Sequence, residues 1–446
     1  MTPTRRSLRP DPRSAAAATL SFLFPGLGQG YNGQWLLAVV LALPVLLVIG
    51  LGAAVLAAGS SGFLAQLLDV RILLALTVLN LALLGWRLVA ILQAHARRGR
   101  LVLRSWTTWT TGALVVATIA MHGLPAFYAA KAIDTLGSVA LEGGGRLFDG
   151  GTGGDTDITE PSVQPELADG ERLTVLLVGV DFAPGRTANL TDTMLVATLD
   201  PVTGRAAMIS VPRDLYGVPL GDGRVYNAKL NSLMSDADAD RATYPLGGPA
   251  TLKAAISELL DTRIHYFAAI DMEGMRQVVD TLGGVDVTVL RTINDPAYRD
   301  TLTGATGFYI EAGRHHMDGT TALAYARSRK SEGESDFTRA ERQQRLLTAI
   351  AAEMTAGNLL TGLPGLLDAV RDNVATDIPS SRIAAIGAEL QAADLRRIER
   401  VVLTPDDGYV TVEIASAAGY VLHPDFEAIQ SMSRRIFGEE TLSADR

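Results

Sequence analysis

The run LTVLLVGV, Leu173–Val180, closes on Asp181, and TDT (Thr191–Thr193) then leads into a second run, MLVATL, Met194–Leu199. Both are short, continuous and rich in Val and Leu, the pattern of strands buried on both faces. Arg205–Val211 reads as a third strand. Downstream, Thr251–Leu260 has helical spacing and His265–Ile270 is strand-like. Met272–Leu282 is helical and stops at Gly283-Gly284, a fitting C-cap, before a strand at Val285–Leu290. Helices are expected from Gly319 to Tyr325, Phe337 to Met354, Leu363 to Val370 and Ser381 to Gln391, with a late strand at Arg400–Leu403. Alternating strands and helices predict a three-layer α/β/α domain around a central mixed sheet, spanning residues 173–446.

Upstream of that domain the chemistry changes. Three apolar stretches, Leu36–Ala58, Ile72–Leu92 and Trp106–Ala129, are each long enough to cross a bilayer, which takes about 20 residues. A shorter one, Ala15–Phe24, ends in the turn-rich run FPGLGQGYNG and is expected to be interfacial or re-entrant. Residues 1–35 then form a cytoplasmic N-terminus with that segment, 36–130 the three spans, and 131–172 a juxtamembrane piece with a Gly-rich linker. Arg5, Arg6, Arg9 and Arg13 precede the first span, and Arg97, Arg98, Arg100 and Arg104 lie between the second and third. The excess of cations on cytoplasmic loops therefore predicts a multi-pass protein with its C-terminal domain outside the cell membrane. Arg87, near the inner end of its span, is expected to snorkel to the interface.

Composition excludes several classes. Residues 1–130 hold ten Arg and two Asp, a net of +8, so a total of −9 leaves −17 for the rest. An acidic body is a poor partner for nucleic acid, which needs a basic surface. With no Cys there is no disulfide framework, thiolate metal site or Cys nucleophile. No P-loop, His-Glu-x-x-His helix or Gly-x-Ser-x-Gly elbow occurs, and the adjacent His315 and His316 read as surface or packing residues.

What remains is a set of acids and arginines at element edges. Asp181 ends one strand and Asp192 begins the next, and such carboxylates can converge on one Mg²⁺, a hard ion that prefers oxygen. Arg213 follows a strand in SVPRD. Arg327 and Arg329, two apart in YARSRK, share a face if the backbone is extended. In SDFTR, Ser335 or Asp336 suits a helix N-cap, and Arg339 and Gln343 lie on one helical face. Each alone reads as a turn, a cap or a solvated charge. Together they suit an anionic phosphate ligand, because guanidinium forks bind phosphate bidentately.

The ordered series LLVGVD, TDTMLVATLDP, ISVPRDLYG, KLN, LGGVDV, HHMDGTTALAYARSRK and SDFTRAERQQRLL resembles the LytR–CpsA–Psr family over roughly Leu173–Met354. Thr338 stands where the family usually has Gly, and Phe182-Ala183 follow Asp181 where a small polar residue and Arg are common. The three-span front is longer than the family's usual single anchor. The resemblance implies transfer of a glycan phosphate from a polyprenyl-pyrophosphate carrier to peptidoglycan, at the 6-hydroxyl of muramic acid, with an apolar tunnel for the lipid. It also implies that Asp181 and Asp192 hold Mg²⁺, that Arg213, Arg327, Arg329 and Arg339 clamp the pyrophosphate with help from Gln343, and that Asp336 orients or deprotonates the acceptor. Lys229 and Asn231 are implied ligand contacts, a turn-stabilising role for Asn231 being an equal alternative. A polyprenyl-pyrophosphate pyrophosphatase and a non-catalytic lipid-binding scaffold are the competing readings.

Overall fold

The computed structural model describes residues 11–57, 70–98, 105–139, 170–181, 190–354, 365–366, 368–379, scattered positions from 382 to 393, and 397–438. The expected linker lies almost wholly outside these residues, as do parts of the helices expected at 363–370 and 381–391. The chain divides into two compact units, Met1–Asp134 and Thr135–Arg446.

The first unit is helical: α1 (Pro12–Leu23), α2 (Leu27–Tyr31), α3 (Trp35–Ala57), α4 (Val70–Ala96) and α5 (Trp106–Val139). Three segments, Trp35–Ala54, Arg71–Ala96 and Trp106–Thr135, are long and apolar enough to cross a membrane. The FPGLGQGYNG run folds into α2 and docks on α4 through amides. The buried Gln29 donates to the Ala90 carbonyl at 2.8 Å and to Gln93 Oε1 at 2.9 Å, and Asn32 donates to the Ala94 carbonyl at 2.9 Å. Gly28 permits close packing of α2 on α1, since a Cβ there would lie 2.0 Å from the Ala17 carbonyl oxygen. Arg87 reaches α1: its Nη2 donates to the Phe22 carbonyl at 2.5 Å, near the C-terminus of that helix, where a helix dipole favours a cation.

The second unit is a mixed α/β fold. Its central sheet runs β11-β6-β1-β2-β3-β12, formed by β11 (Val374–Thr376), β6 (Tyr266–Asp271), β1 (Leu173–Asp181), β2 (Leu190–Leu199), β3 (Ala206–Val211) and β12 (Glu399–Val402). β1 is antiparallel to β2 and parallel to β6, and β3 is antiparallel to β2 and parallel to β12. Among the described residues, the helices of this unit include α6 (Leu230–Ala239), α7 (Gly248–Leu260), α8 (Met272–Thr281), α9 (Gly319–Arg327), α10 (Asp336–Glu353) and α11 (Phe426–Phe437), with further helical residues at 365–366, at 368–373 and between 382 and 390.

Alternation along the strands decides which face carries the main core. Leu176, Val178, Met194, Val196, Ile209 and Phe267 pack with α6, α7 and α11 into the larger hydrophobic cluster. The alternate residues Leu177, Gly179, Thr193, Leu195, Ala268 and Ile270 face α8, α9 and α10 across a cavity. A smaller cluster, built on α8, α9, α10 and the strand β7 (Val285–Val289), lies beside that cavity. Gly283 and Gly284 end α8 with φ of +85° and +101°, the left-handed geometry that glycine adopts without penalty. His315 and His316 lie on β10 (Gly313–Met317), where His316 pairs with Asp286 at 2.9 Å on the surface.

Candidate active site

Register places the first pair. Met194 lies opposite Val211, so one further step of two residues along each antiparallel strand sets Asp192 against Arg213. Arg213 Nη1 donates to Asp192 Oδ1 at 2.6 Å. Asp336 arrives from the first turn of α10. Ser335 is the N-cap there, its Oγ accepting from Thr338 N at 3.2 Å while Thr338 Oγ1 accepts from Ser335 N at 2.9 Å. This reciprocal capping box gives Thr338 a structural role.

Three guanidiniums surround the Asp336 carboxylate. Arg339 Nη1 lies 3.2 Å away, Arg329 Nε 3.3 Å and Arg213 Nε 3.4 Å. Burial raises the Asp336 pKa, but Arg339, Arg213 and Arg329 outweigh it and hold the carboxyl below its ordinary range. A carboxyl held below its ordinary range is a weaker base than a free one. Burial also pushes the Arg339 guanidinium down to about 10, against the opposing pull of Asp336. Arg213 is raised because Asp192 and Asp336 outweigh its own burial.

Two compartments meet at this cluster. Asp192, Arg213, Asp336, Arg339 and Gln343 line a small pocket whose remaining wall is largely apolar, formed by Met194, Val211, Phe337, Val402 and Leu422 among others. Asp192, Arg339 and Gln343 also line the charged end of the cavity between the sheet and α8, α9 and α10, which has a volume of about 440 Å³. Elsewhere that cavity is mainly apolar, walled by Leu177, Leu195, Ala268, Met275, Leu323 and Leu346.

Arg327 and Arg329 both line it, although not through an extended run: Arg327 closes α9, and the chain turns out of the helix at Ser328. The buried Arg327 Nη1 has no hydrogen-bond partner among the described residues. Lys229 and Asn231 line neither compartment. Lys229 Nζ braces Asp214 at 2.8 Å, and the Asn231 main chain ties Arg213 O (3.0 Å) to Thr191 Oγ1 (3.2 Å). The Asp181 side chain lies outside the described residues.

A family model described as the LytR_cpsA_psr family matches residues 152–435. The chain belongs to the LytR–CpsA–Psr family. Among its relatives is "Polyisoprenyl-teichoic acid--peptidoglycan teichoic acid transferase TagU" of Bacillus cereus (strain AH820), 28% identical over 269 residues, covering 60% of this chain and 80% of that protein. The protein of the same description named TagV, from Bacillus subtilis (strain 168), is 26% identical over 238 residues, covering 53% and 58%. The crystal structure of B. subtilis TagV aligns with a TM-score of 0.47 at 23% identity, over 60% of this chain and 98% of that one.

Two supports of this LytR–CpsA–Psr site carry no local sequence signal. Asp295, 1% exposed, accepts at Oδ2 from Ser328 Oγ (2.8 Å), Arg329 N (2.9 Å) and Lys330 N (3.0 Å), and so fixes the backbone that carries Arg327 and Arg329. Its residue type and its place before Pro296 mark only a turn. Arg342 donates to the Tyr325 carbonyl and, at 2.5 Å, to Ser328 O, while Glu334 holds it at 2.8 Å.

For a divalent metal, the relevant donor is Asp192. Its Oδ2 accepts no hydrogen bond from the described residues, and it opens onto both compartments. One hard carboxylate oxygen beside an anion site fits Mg²⁺, which takes one or two carboxylates and completes its shell with phosphate and water. No group of three or more His, Asp or Glu that could hold a metal occurs among the described residues.

Proposed function

We propose that the chain transfers a phosphate-linked glycan from a polyprenyl-pyrophosphate carrier to the muramic acid 6-hydroxyl of peptidoglycan, in a three-layer α/β/α domain held outside the membrane by three spans with a cytoplasmic N-terminus. The observation that carries this reading is that the arginines around Asp336 stand at the charged end of a mainly apolar cavity, which Arg327 also lines, since an isoprenoid pyrophosphate is an anion joined to a hydrocarbon chain. The curated relatives' description, transfer of polyisoprenyl-linked teichoic acid to peptidoglycan, agrees with it.

In this reading the prenyl chain fills the cavity, and Arg213, Arg327, Arg329 and Arg339 face the pyrophosphate. The acceptor oxygen attacks the sugar-linked phosphorus and a new P–O bond forms. The bond to the bridging oxygen breaks, its electron pair leaving with polyprenyl phosphate, and the hydroxyl proton passes to solvent while Asp336 orients the oxygen. Pre-placed guanidiniums stabilise charge as it moves onto the bridging oxygen, which is where phosphoryl transfer needs help. Asp181 and Asp192 would hold Mg²⁺, which when bound supplies Lewis-acid neutralisation of the phosphate oxygens.

The full chain in detergent, given a synthetic polyprenyl-pyrophosphoryl sugar, Mg²⁺ and uncrosslinked peptidoglycan, should yield a glycan-phosphate adduct on muramic acid by mass spectrometry. Arg327→Ala should lose about 100-fold or more in rate without loss of fold, the scale seen when one transition-state donor is removed. Free sugar phosphate without adduct would favour the pyrophosphatase, and bound, uncleaved lipid a scaffold.

A further inference from the structure

The strands β13 (Val410–Ser416) and β14 (Gly419–Pro424) form an antiparallel hairpin whose base is built into the α/β unit. Val410 and Leu422 belong to the larger core, and Leu422 N donates to the Asp214 carbonyl at 3.0 Å. Beyond that base the hairpin is apolar and exposed. Val412 lies opposite Leu422, and Tyr420, two residues along, shares the Leu422 face. Val412 and Tyr420 are exposed, and Ile414 is 78% exposed. No charged residue occurs from Ile414 to Leu422, and Ala415, Ala417 and Ala418 about the turn are exposed as well. Glu413, adjacent to Val412 and so directed to the other face, is paired with His423 at 2.7 Å.

A cluster of exposed apolar side chains on a braced hairpin marks a contact surface. Two observations say what it contacts. The face continues into the charged pocket, because Tyr420 and Leu422 also line that pocket. Three helices of the same chain are long and apolar enough to cross a membrane, and residues 140–169 join the last of them to this unit, which is thereby tethered to a bilayer. If the pocket takes the head of a polyprenyl pyrophosphate, as proposed above, its mouth has to open toward the leaflet that holds that lipid. Residues that rim the mouth then meet the leaflet first.

We propose that the β13–β14 hairpin is a membrane-docking element that rests Val412, Ile414 and Tyr420 in the boundary between lipid headgroups and acyl chains. The choice of a bilayer as the occupant rests in part on the proposed function. A two-stranded hairpin leaves main-chain N–H and C=O groups unpaired along its edges, so this boundary suits it and the hydrocarbon centre does not. Tyrosine favours the same depth, since its ring is apolar and its hydroxyl polar. The acidic body is not drawn in by anionic headgroups, which leaves apolar contact and the high local concentration that a tether provides.

The chain has no Cys, so one introduced Cys carries a nitroxide label without background. The full chain in nanodiscs of phosphatidylcholine and phosphatidylglycerol is labelled in turn through Ile414→Cys, through Val202→Cys on the exposed β2–β3 turn, and through Leu43→Cys in the first span. Power saturation with oxygen, which concentrates in lipid, and with a water-soluble nickel chelate reports the surroundings of each label. The label at 414 should favour oxygen, as the one at 43 does, and the label at 202 should favour the chelate. A label at 414 as open to the chelate as that at 202 would overturn the proposal. So would one shielded from both reagents, because protein, a second copy included, would then cover the face. In transfer assays Ile414→Glu should raise KM for a long-chain polyprenyl-pyrophosphoryl sugar in nanodiscs at least about tenfold, the scale of one buried aliphatic side chain. Turnover of a short-chain, water-soluble donor should stay at the wild-type rate, which also reports that the variant is folded. Equal loss on both donors, or loss on neither, would overturn docking. A label at 414 that favours oxygen in a protein that never transfers would instead overturn the transfer reaction and leave the docking element standing.

Discussion

The four arginines are not equivalent. Arg339 is 6% exposed and sits among like charges, so part of its desolvation cost is unrelieved until an anion arrives. Arg329 is half exposed and is placed by its backbone rather than by packing, which puts the weight on Asp295. Burial raises the Asp295 pKa, but the N–H groups of Lys330 and Arg329 and the Ser328 hydroxyl outweigh it, and the carboxyl is held below its ordinary range. A carboxyl lowered in the fold contributes stability above the unfolded-state value, about 4, and loses it as pH falls through the depressed folded value. Asp295→Asn turns one acceptor toward a donor and should cost about 2–3 kcal/mol, since hydrogen bonds to a buried charge are the stronger class. Chemical denaturation at pH 7 should show that loss, and the difference from wild type should shrink on acidification. If the pH dependence of stability is the same in both proteins, Asp295 does not carry this charge.

At the scale of elements, α10 does more than any other. Its first turn holds Asp336, its inward side Arg339 and Gln343, its outward side Arg345, and its length anchors Leu346 and Ile350 in the smaller core. The angle at which it enters depends on the Ser335–Thr338 box, so a defect there reaches the chemistry. Thr338→Val keeps the shape but removes all three Thr338 Oγ1 hydrogen bonds, to Ser335 N, Ser335 O and Glu334 Oε2, and should destabilise by about 1 kcal/mol, a typical cap contribution, with a parallel fall in transfer rate. Thermal melts and single-turnover kinetics on one preparation check it, and an unchanged melt would show the box to be idle. This element was legible in the sequence because its signals are local: a cap residue, an acid in the first turn, and arginine and glutamine four apart. The strands were legible for the same reason, and the Asp192–Arg213 pair follows once their register is known. The anchoring of YARSRK by Asp295 was not, because residues 33 to 35 positions apart meet only through the fold.

For the α/β unit as a whole, the feature least visible in the sequence is the apolar cavity. Leu177, Leu195, Ala268 and Leu323 have the residue types and periodicity of core positions, and nothing in that pattern distinguishes a filled interior from an open one. What keeps this one open is size. Gly179 and Ala268 supply almost no side chain where the sheet would otherwise meet α8 and α9, and a Cβ at 179 would lie 3.0 Å from Thr193 Cβ. Interiors are otherwise packed near crystal density, and a hollow of about 440 Å³ forgoes dispersion contacts that a buried chain would restore. An isoprenoid chain would regain them, at about 0.8 kcal/mol per buried CH₂ equivalent. Ala268→Phe places a ring in the cavity without touching the arginines. It should leave the affinity for a short-chain or methyl pyrophosphate unchanged and weaken a long-chain polyprenyl pyrophosphate at least about tenfold, equivalent to losing two methylenes of burial. The protein alone should melt at the same temperature or higher, because the ring fills empty space rather than overpacking a filled one. Isothermal titration with the two ligands separates the cases: a parallel loss of both would mean that the substitution damaged the charged site, and no loss of either would mean that the hydrocarbon chain lies elsewhere.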